Sequence, residues 1–293
     1  MSISQKFYII CLILTNLHFN LFGKEKYPLR YNLKSPNEII TLPKVLHEVS
    51  GLTVIDNQNL ACIQDENGII FTYNLQLKKI TNEAWFAEDG DYEGIALVGN
   101  TMYVLRSDGI LFEVENYSSP QRKTKQYSTH ILAVNNEGLY YDKENNRLLI
   151  ASKSNERKGA QYKDMRAVWS FDLKTKKVEP KPAFTLNAVK INSFVANEPT
   201  TLNAFSKTQK SKIKFRPAAM AIHPFSKKVF ILSALDFSLF IFDNNGNLEH
   251  VEHLEPSLFQ QAEGIAFLND GTLYISNEGQ DKHPTLLKFN YLQ

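Results

Sequence analysis

The chain has 293 residues, of which 43% are hydrophobic and 22% charged, so it can form one large all-β domain or two small ones. Its 33 basic and 31 acidic residues leave a formal net charge of +2. This lacks the basic excess that nucleic-acid-binding proteins carry, and we therefore expect no nucleic-acid partner.

The first 23 residues have the pattern of a secretory signal peptide. Lys6 precedes an apolar run over residues 7–14, and no further Asp, Glu, Lys or Arg occurs before Lys24. The run is short and interrupted by polar residues, which argues against an integral membrane domain, although an uncleaved anchor or a lipoprotein signal at Cys11 is an alternative. We expect an exported protein, located in the periplasm, in the cell envelope or outside the cell. A linker is predicted at residues 24–35, and a single domain at residues 36–293.

A short phrase built around a glycine position recurs along this domain. Glu-Gly occurs at residues 93–94, 137–138 and 263–264, with a looser copy at 48–52 and a degenerate one at 216–220. The aligned positions 51, 94, 138, 219 and 264 are separated by 43, 44, 81 and 45 residues. A period in the forties, with short strands in each unit, is typical of a β-propeller.

Each unit predicts a four-stranded blade with a variable outer strand. The first unit has β patterns at residues 52–55, 60–63 and 69–73, and the second has them at 94–97, 102–105 and 110–114. The last unit has them at residues 265–268, 273–276 and 286–289. Turn residues such as Gly-Asn and Asp-Gly separate these runs. We therefore predict a single propeller domain and expect a monomer.

Two segments fall outside this pattern. Residues 38–42 have β character and precede the first blade, so we expect them to supply the missing outer strand of the last blade and to close the ring. Residues 187–214 lack strand alternation and end in several lysines, which indicates an insertion that is partly helical or loose. Because this insertion lies within the interval of 81 residues, five blades are favoured over six.

The repeated phrase also carries carboxylates. Counted from the glycine position, Glu93, Glu137 and Glu263 lie at minus one, Glu48 lies at minus three, and Arg216 lies at minus three in the degenerate unit. Side chains at minus one and minus three share one side of a regular strand, and the first strand of a propeller blade lines the channel, so the four glutamates are expected to converge. Converging carboxylates need raised pKa values, a basic partner or a cation, and oxygen ligands suit calcium. Alternatively, each glutamate only caps a strand end or bonds to backbone amides.

A second set of polar residues is expected at the rim of the channel, near the ends of the second strands. The candidates are Arg106, Arg216, Asp236, Asn277 and Glu278. Most such positions hold ordinary turn residues. The chain has no nucleophile elbow, phosphate loop or His-Glu-x-x-His motif, so we assign no catalytic residue.

Several phrases resemble the SdiA-regulated family of exported bacterial proteins. They are EVSGL at 48–52, NEGLYYD at 136–142, AIHP at 221–224, QAEGIA at 261–266 and LYISNEG at 273–279. The resemblance covers residues 36–293 and implies a five-bladed propeller, distantly related to the six-bladed NHL-repeat type, with a bound calcium ion. The glutamates that match its repeats are Glu48, Glu93, Glu137 and Glu263. The resemblance implies no particular reaction, and the phrase at 216–219 and the lysine-rich insertion depart from the family pattern.

Three functions stay open at this point. The favoured one is a binding module of the cell envelope whose calcium-bearing face docks a small-molecule ligand or an envelope partner. The second is a calcium-dependent hydrolase, lactonase-like or phosphoesterase-like, that uses the same channel site. A phosphatase needs several basic residues and the channel phrases supply mainly Arg216, whereas a lactonase could use Asp236 or Asn277 as its base. The third is a scaffold without an ion.

Overall fold

The structure, a computed structural model, describes residues 27–197 and 212–293. The predicted signal peptide and residues 198–211 of the predicted insertion lie outside the described residues. The described strands form five antiparallel sheets arranged as a five-bladed β-propeller. The predicted fold is therefore confirmed, and with it the preference for five blades.

Consecutive strands of each blade are hydrogen-bonded neighbours, apart from the strand that closes the ring. That first strand, β1 (Glu38–Thr41), belongs to the last blade. Blade 1 contains β2 (Val49–Val54), β3 (Asn59–Gln64), β4 (Ile69–Asn74) and β5 (Lys79–Trp85). Blade 2 contains β6 (Tyr92–Val98), β7 (Thr101–Arg106), β8 (Ile110–Glu115) and β9 (Lys123–Ser128).

The third blade has one extra strand. It contains β10 (Asn136–Asp142), β11 (Arg147–Ser152) and β12 (Met165–Asp172), and both β13 (Lys177–Val178) and β14 (Phe184–Asn187) pair with β12. Blade 4 contains β15 (Ala219–Ile222), β16 (Val229–Ser233), β17 (Ser238–Phe242) and β18 (Leu248–His253). Blade 5 contains β19 (Ala262–Phe267), β20 (Leu273–Asn277), β21 (Thr285–Phe289) and β1. Short 3-10 helices occupy Lys44–Leu46, Ala160–Tyr162 and Ala234–Asp236.

Five apolar clusters form the core, one at each junction between neighbouring blades. In β7, Met102 and Val104 pack toward blade 1, whereas Tyr103 and Leu105 pack toward blade 3. Successive side chains of a strand point to opposite faces, so a central strand must be apolar on both. This explains why the inner strands have nearly continuous apolar sequences.

The ring is closed as predicted. Strand β1 pairs antiparallel with β21, and Ile40 lies opposite Leu286. Upstream of β1, the segment predicted as a linker is packed against blades 4 and 5 in its described part. Tyr31 is buried there, and its hydroxyl lies 2.8 Å from His223 Nε2 and donates to Gly271 O at 2.6 Å. The N-terminal residues therefore close the ring with both a strand and a buried aromatic contact.

The described part of the insertion contains one helix, α1 (Ala188–Ala196). The Asn187 side chain caps it by accepting hydrogen bonds from Val189 N and Lys190 N. Ile191 and Val195 are buried at the junction of blades 3 and 4. Among residues 27–197 and 212–293, no helix is long and apolar enough to cross a membrane.

Candidate functional site

A β-bulge interrupts the innermost strand of four blades at the same place. The pairing register shifts between Val49 and Gly51, Tyr92 and Gly94, Asn136 and Gly138, and Ala262 and Gly264. The bulged residue is the one at minus one, namely Ser50, Glu93, Glu137 or Glu263. A bulge breaks the alternation of side chains and aims the extra residue in a new direction. The predicted equivalence of minus one and minus three is therefore wrong, and Glu48 corresponds to Asp91 rather than to Glu93.

The glycine after each bulge permits close approach of neighbouring inner strands. A Cβ atom added to Gly94 would lie 2.6 Å from both Glu137 O and Leu139 Cβ. One added to Gly264 would lie 2.7 Å from Leu52 Cγ and even closer to Ser276. Glycine at these positions lets the inner strands of adjacent blades crowd around the axis, and the bulged glutamates are carried there with them.

The three bulged glutamates all interact with Lys153, which directly follows β11. Lys153 Nζ lies 2.8 Å from Glu137 Oε1. The same ammonium also interacts electrostatically with Glu263 and Glu93. Glu137 and Glu263 are 2% and 6% exposed, and Glu93 is half-buried. We call these three glutamates and Lys153 the mouth cluster.

The mouth cluster holds too little positive charge to compensate its three carboxylates. Burial, followed by repulsion from Glu137, raises the pKa of Glu93 to about 9. Burial raises the pKa of Glu263 to about 8 and that of Glu137 to about 7, although Lys153 opposes the increase in both. Glu137 Oε2 is buried and has no hydrogen-bond partner among the described residues. One ammonium therefore does not compensate the three carboxylates.

Glu48 belongs to a second acidic group beside the mouth cluster. Burial and the Glu48 and Glu278 carboxylates raise the pKa of Asp65 to about 7. Burial is also the main cause of the raised pKa of Glu278, which interacts electrostatically with both Glu48 and Lys153. Glu278 accepts hydrogen bonds from the Gln261 and Gln280 side chains at 2.7 and 3.0 Å. We call Glu48, Asp65 and Glu278 the outer arc.

The two predicted arginines do not contact the mouth cluster in the described structure. Arg106 forms an ion pair of 2.9 Å with Asp108 in its own turn. Arg216 is exposed, and its charge adds to burial in lowering the pKa of Arg166. The positive charge of the mouth cluster comes from Lys153 and not from either arginine.

Asp236 and Asn277 are both 2% exposed and engaged in structural hydrogen bonds. The Asp236 carboxylate accepts hydrogen bonds from Lys214 N, Phe215 N and the Ser233 hydroxyl, at distances of 2.7 to 3.0 Å. The Asn277 amide donates to Leu258 O and Thr285 Oγ1. These contacts hold loops and strands in place, so the structure lends no support to either residue as the base of a lactonase.

The donor chemistry of the mouth cluster suits a hard cation, because its potential ligands are the oxygens of two buried carboxylates and one half-buried carboxylate. Within the described ranges, however, no three acidic, histidine or cysteine side chains are arranged to hold a metal ion. Lys153 binds Oε1 of Glu137, so only Oε2 of that carboxylate is left for a cation. A metal ion at this site would thus require the glutamate side chains to move closer together.

Three charged residues of this region were not predicted as site residues. Lys153 and Asp65 follow second strands, where turn residues are common, and Asp91 precedes a bulge. For Asp91, the sequence signal was its position in the repeat. Asp91 lies three residues before Gly94, as Glu48 lies three residues before Gly51. For Lys153, only the structure shows that the end of β11 lies beside the bulge of β10.

Comparison with known proteins supports the fold. The sequence profile of the SdiA-regulated family matches residues 30–281. A glutaminyl cyclase from Myxococcus xanthus has a TM-score of 0.55 at 14% identity, over 88% of this chain and 97% of that chain. A chain of a Mitotic Checkpoint Complex has a TM-score of 0.50 at 9% identity, over 100% of this chain and 99% of that chain. These identities are low enough that the likeness shows the fold alone, and no curated protein sequence matches the chain.

Proposed function

The chain belongs to the SdiA-regulated family, and we propose that it is an exported binding module whose channel mouth binds calcium. The observation that carries this proposal is the composition of the mouth cluster. Three buried or half-buried carboxylates face one ammonium, which leaves two negative charges uncompensated when all are ionised. One calcium ion carries the two positive charges that would compensate them.

Glu137 has one oxygen bonded to Lys153 and one buried oxygen without a partner. Lys153 therefore fixes the carboxylate while leaving Oε2 available to a cation. Glu93 and Glu263 would complete the carboxylate set, and Glu278 of the outer arc adds a nearby negative charge. Bound calcium would neutralise these groups and offer open coordination positions to oxygen atoms of a ligand.

Protons are the competing way to neutralise the mouth cluster. With pKa values of about 9 and 8, Glu93 and Glu263 hold protons at neutral pH when no ion is bound. Calcium binds carboxylates only in their ionised form, so its binding should release protons. This release separates a calcium site from a surface that binds calcium loosely through residues that are already ionised.

Isothermal titration of chelator-treated protein with calcium tests the proposal. We expect one site, with proton release that shows as a dependence of the heat on the ionisation enthalpy of the buffer. Glu93→Gln should weaken the affinity at least tenfold, whereas Glu83→Gln, at an exposed position of β5, should leave it unchanged. Absence of saturable binding, or equal affinity in both variants, would refute the calcium site.

The proposed export rests on the sequence of residues 1–23, and the proposed partner rests on the uncompensated carboxylates of the mouth cluster. We propose that the calcium-bearing face meets a small-molecule ligand or a component of the cell envelope. Fractionation of cells that express a C-terminally tagged chain tests the location. The full chain should appear outside the cytoplasm, and deletion of residues 2–23 should retain it inside. A cytoplasmic full chain would contradict the proposal.

A further inference from the structure

Two arginines meet at the junction between blades 3 and 4, at the end of the propeller that carries the channel mouth. Because β11 and β12 are antiparallel, β12 begins where β11 ends, and Lys153 follows β11 there. Arg166 is the second residue of β12, and Arg216 lies in the loop that precedes β15, the innermost strand of blade 4. The charge of Arg216 acts on the Arg166 guanidinium. We call Arg166 and Arg216 the arginine pair.

The Arg166 side chain points toward blade 4. Val168, two residues along β12, packs with Met220 of blade 4, and side chains two residues apart in a strand share a face. Arg166 Nη2 accordingly donates to Lys214 O, in the loop that carries Arg216, at 3.4 Å. Arg166 is 6% exposed whereas Arg216 is exposed, so the arginine pair has one buried and one solvent-facing member.

Arg166 is a buried charge without an ionic partner. Within residues 27–197 and 212–293 it forms no ion pair with a carboxylate, and Asp164 and Asp236 act on it only from beyond ion-pair distance. Asp164 lies 3.8 Å from Lys212 Nζ, and the Asp236 carboxylate accepts hydrogen bonds from the backbone of Lys214 and Phe215. Buried charges in proteins are normally paired, because an unpaired one is costly. An anion from outside the chain would supply the missing partner.

One edge of the Arg166 guanidinium has donors to spare. Nη1 donates to Asn155 Oδ1 at 2.6 Å and to Met165 O at 3.1 Å. Nε is buried and has no hydrogen-bond partner among the described residues, and Nη2 beside it makes the long bond to Lys214 O. Nε and Nη2 form the fork with which an arginine binds two oxygens of a phosphate or a carboxylate. The edge with free donors is thus the edge that recognises oxyanions.

Arg216 adds a second positive charge on the solvent side. Its backbone N–H donates to Ser233 Oγ at 3.2 Å, whereas its guanidinium has no ion pair or hydrogen bond in the described part of the chain. Burial and the Arg216 charge both lower the pKa of Arg166, as expected where a counter-ion is missing. Two neighbouring guanidinium groups repel each other, and an anion between them replaces that repulsion by two attractions.

We propose that the arginine pair binds an oxyanion, a phosphate or carboxylate group of the ligand, with Arg166 on its buried side and Arg216 on its solvent side. Ser154 precedes Asn155 in the same loop, and its buried hydroxyl, without a partner among the described residues, is a further donor for this anion. The arginine pair does not include any residue of the mouth cluster. The proposal therefore stands whether or not calcium binds there.

Titration of the chelator-treated protein with inorganic phosphate tests the proposal. The ionic strength is held constant with sodium chloride, which excludes an effect of general screening. We expect saturable binding with a stoichiometry of one. Acetate in a parallel titration distinguishes the two groups, since the tighter binder identifies phosphate or carboxylate chemistry. Sedimentation with phosphatidylglycerol vesicles identifies the source: binding that Arg216→Gln abolishes assigns the group to a lipid headgroup, and no binding assigns it to a soluble ligand.

Variants locate the anion. Arg216→Gln should weaken phosphate binding about tenfold, because it removes a charged hydrogen-bond donor. Arg30→Gln is the matched control, since Arg30 is exposed and its backbone oxygen accepts from Leu292 N near the end of the last blade. Arg166→Lys keeps the charge but removes the fork, and we expect a similar loss. If Arg166→Lys does not fold, the exposed Arg216 still decides the question.

The melting temperature separates anion binding from a structural role of Arg216. In phosphate-free buffer, Arg216→Gln should raise the Tm, because it removes a charge that repels the buried Arg166. Phosphate should raise the Tm of the unmodified chain and of Arg30→Gln more than that of Arg216→Gln. A purely structural Arg216 would instead lower the Tm equally in both buffers when replaced, which would contradict the proposal.

The proposal is overturned if neither phosphate nor acetate binds saturably, or if Arg216→Gln and Arg30→Gln bind phosphate equally well. All phosphate titrations are made without calcium, and the calcium titration is made without phosphate. A failure of the oxyanion site is therefore distinguishable from a failure of the calcium site.

Discussion

Lys153 and Glu137 are held together by neighbouring strands of blade 3, with Lys153 Nζ 2.8 Å from Glu137 Oε1. Glu137 occupies the bulge of β10, and the Lys153 backbone extends the ladder by donating to Asn135 O at 2.8 Å. The backbone thus holds both residues side by side at the channel mouth, which places the ammonium within reach of the carboxylate. Lys153 bonds one oxygen of a buried carboxylate and leaves the other oxygen unbonded.

Replacing Lys153 should show whether its ammonium acts as the counter-ion of the mouth cluster. We expect Lys153→Gln to destabilise the chelator-treated protein by about 1–3 kcal/mol, because a buried carboxylate loses its charged partner. Calcium should then stabilise the variant more than it stabilises the unmodified chain. Denaturant unfolding in both buffers measures this, with Lys79→Gln on the exposed edge of β5 as the control. A silent Lys153→Gln would mean that the carboxylates do not need this cation.

Alkaline pH should destabilise the calcium-free protein. The pKa of Glu93 is about 9 and that of Glu263 about 8 in the folded chain, whereas an unfolded glutamate titrates near 4.3. Between these values the folded state binds more protons than the unfolded state, so the free energy of unfolding should fall as the pH rises from about 5 to 9. Unfolding curves at several pH values check this. Calcium should flatten the slope, and so should Glu93→Gln; an equally steep slope in Glu93→Gln would exclude Glu93 as its source.

Acid should open the contact between the N-terminal segment and blade 4. His223 Nδ1 accepts from the backbone of Phe225 and Ser226, and burial lowers the pKa of His223 to about 4. An unfolded histidine titrates near 6.5, so the stability contributed by neutral His223 is complete above that pH and is lost as the pH falls toward 4.

Unfolding measured between pH 7 and 4 should therefore show a loss that His223→Gln reduces, because the amide does not titrate. His130→Gln, in an exposed loop, is the matched control. If both variants lose stability with acid as steeply as the unmodified chain, the loss has another source.

Truncation should separate the two parts of the ring closure. Removal of residues 1–30 keeps Tyr31 and β1, removal of 1–37 deletes the buried Tyr31 and Leu33, and removal of 1–43 also deletes β1. We expect stability to fall in that order, with the largest loss at the last step because the edge of β21 becomes unpaired. Thermal melting and sedimentation measure stability and aggregation. Equal stability of the 1–30 and 1–43 truncations would contradict the closure.

The fold was predictable from the sequence because a short phrase recurs in it at intervals typical of propeller blades. The Glu-Gly phrases mark the innermost strands of three blades, and the β pattern before the first blade correctly predicts the closing strand β1. The family resemblance is confirmed by the profile match. The bulge was not predictable, because a residue added to one strand is visible only when its partner strand is known. Glu48 was consequently grouped with the bulged glutamates although it lies in the outer arc.

The charges of the site were harder to predict than its position. Lys153 is one of many lysines in the sequence, and its importance comes only from the pairing of β10 with β11. Asp236 is an acidic residue of the kind found in functional sites, but its carboxylate already accepts hydrogen bonds from the backbone amides of Lys214 and Phe215. Sequence patterns place residues on strands; they do not show which hydrogen bonds a side chain has already made.

The central claim is that Glu93 and Glu263 share one calcium ion, and a double-mutant cycle on stability tests it most directly. The Tm of the unmodified chain, Glu93→Gln, Glu263→Gln and the double variant is compared in chelator and in saturating calcium. In chelator, we expect each substitution to raise the Tm, because it removes a buried and repelled carboxylate. In calcium, the Tm of the unmodified chain should rise, each single variant should lose most of that rise, and the double variant should lose less than the sum of the two. A Tm of the unmodified chain that calcium leaves unchanged, or a rise that all four proteins share, would contradict the claim.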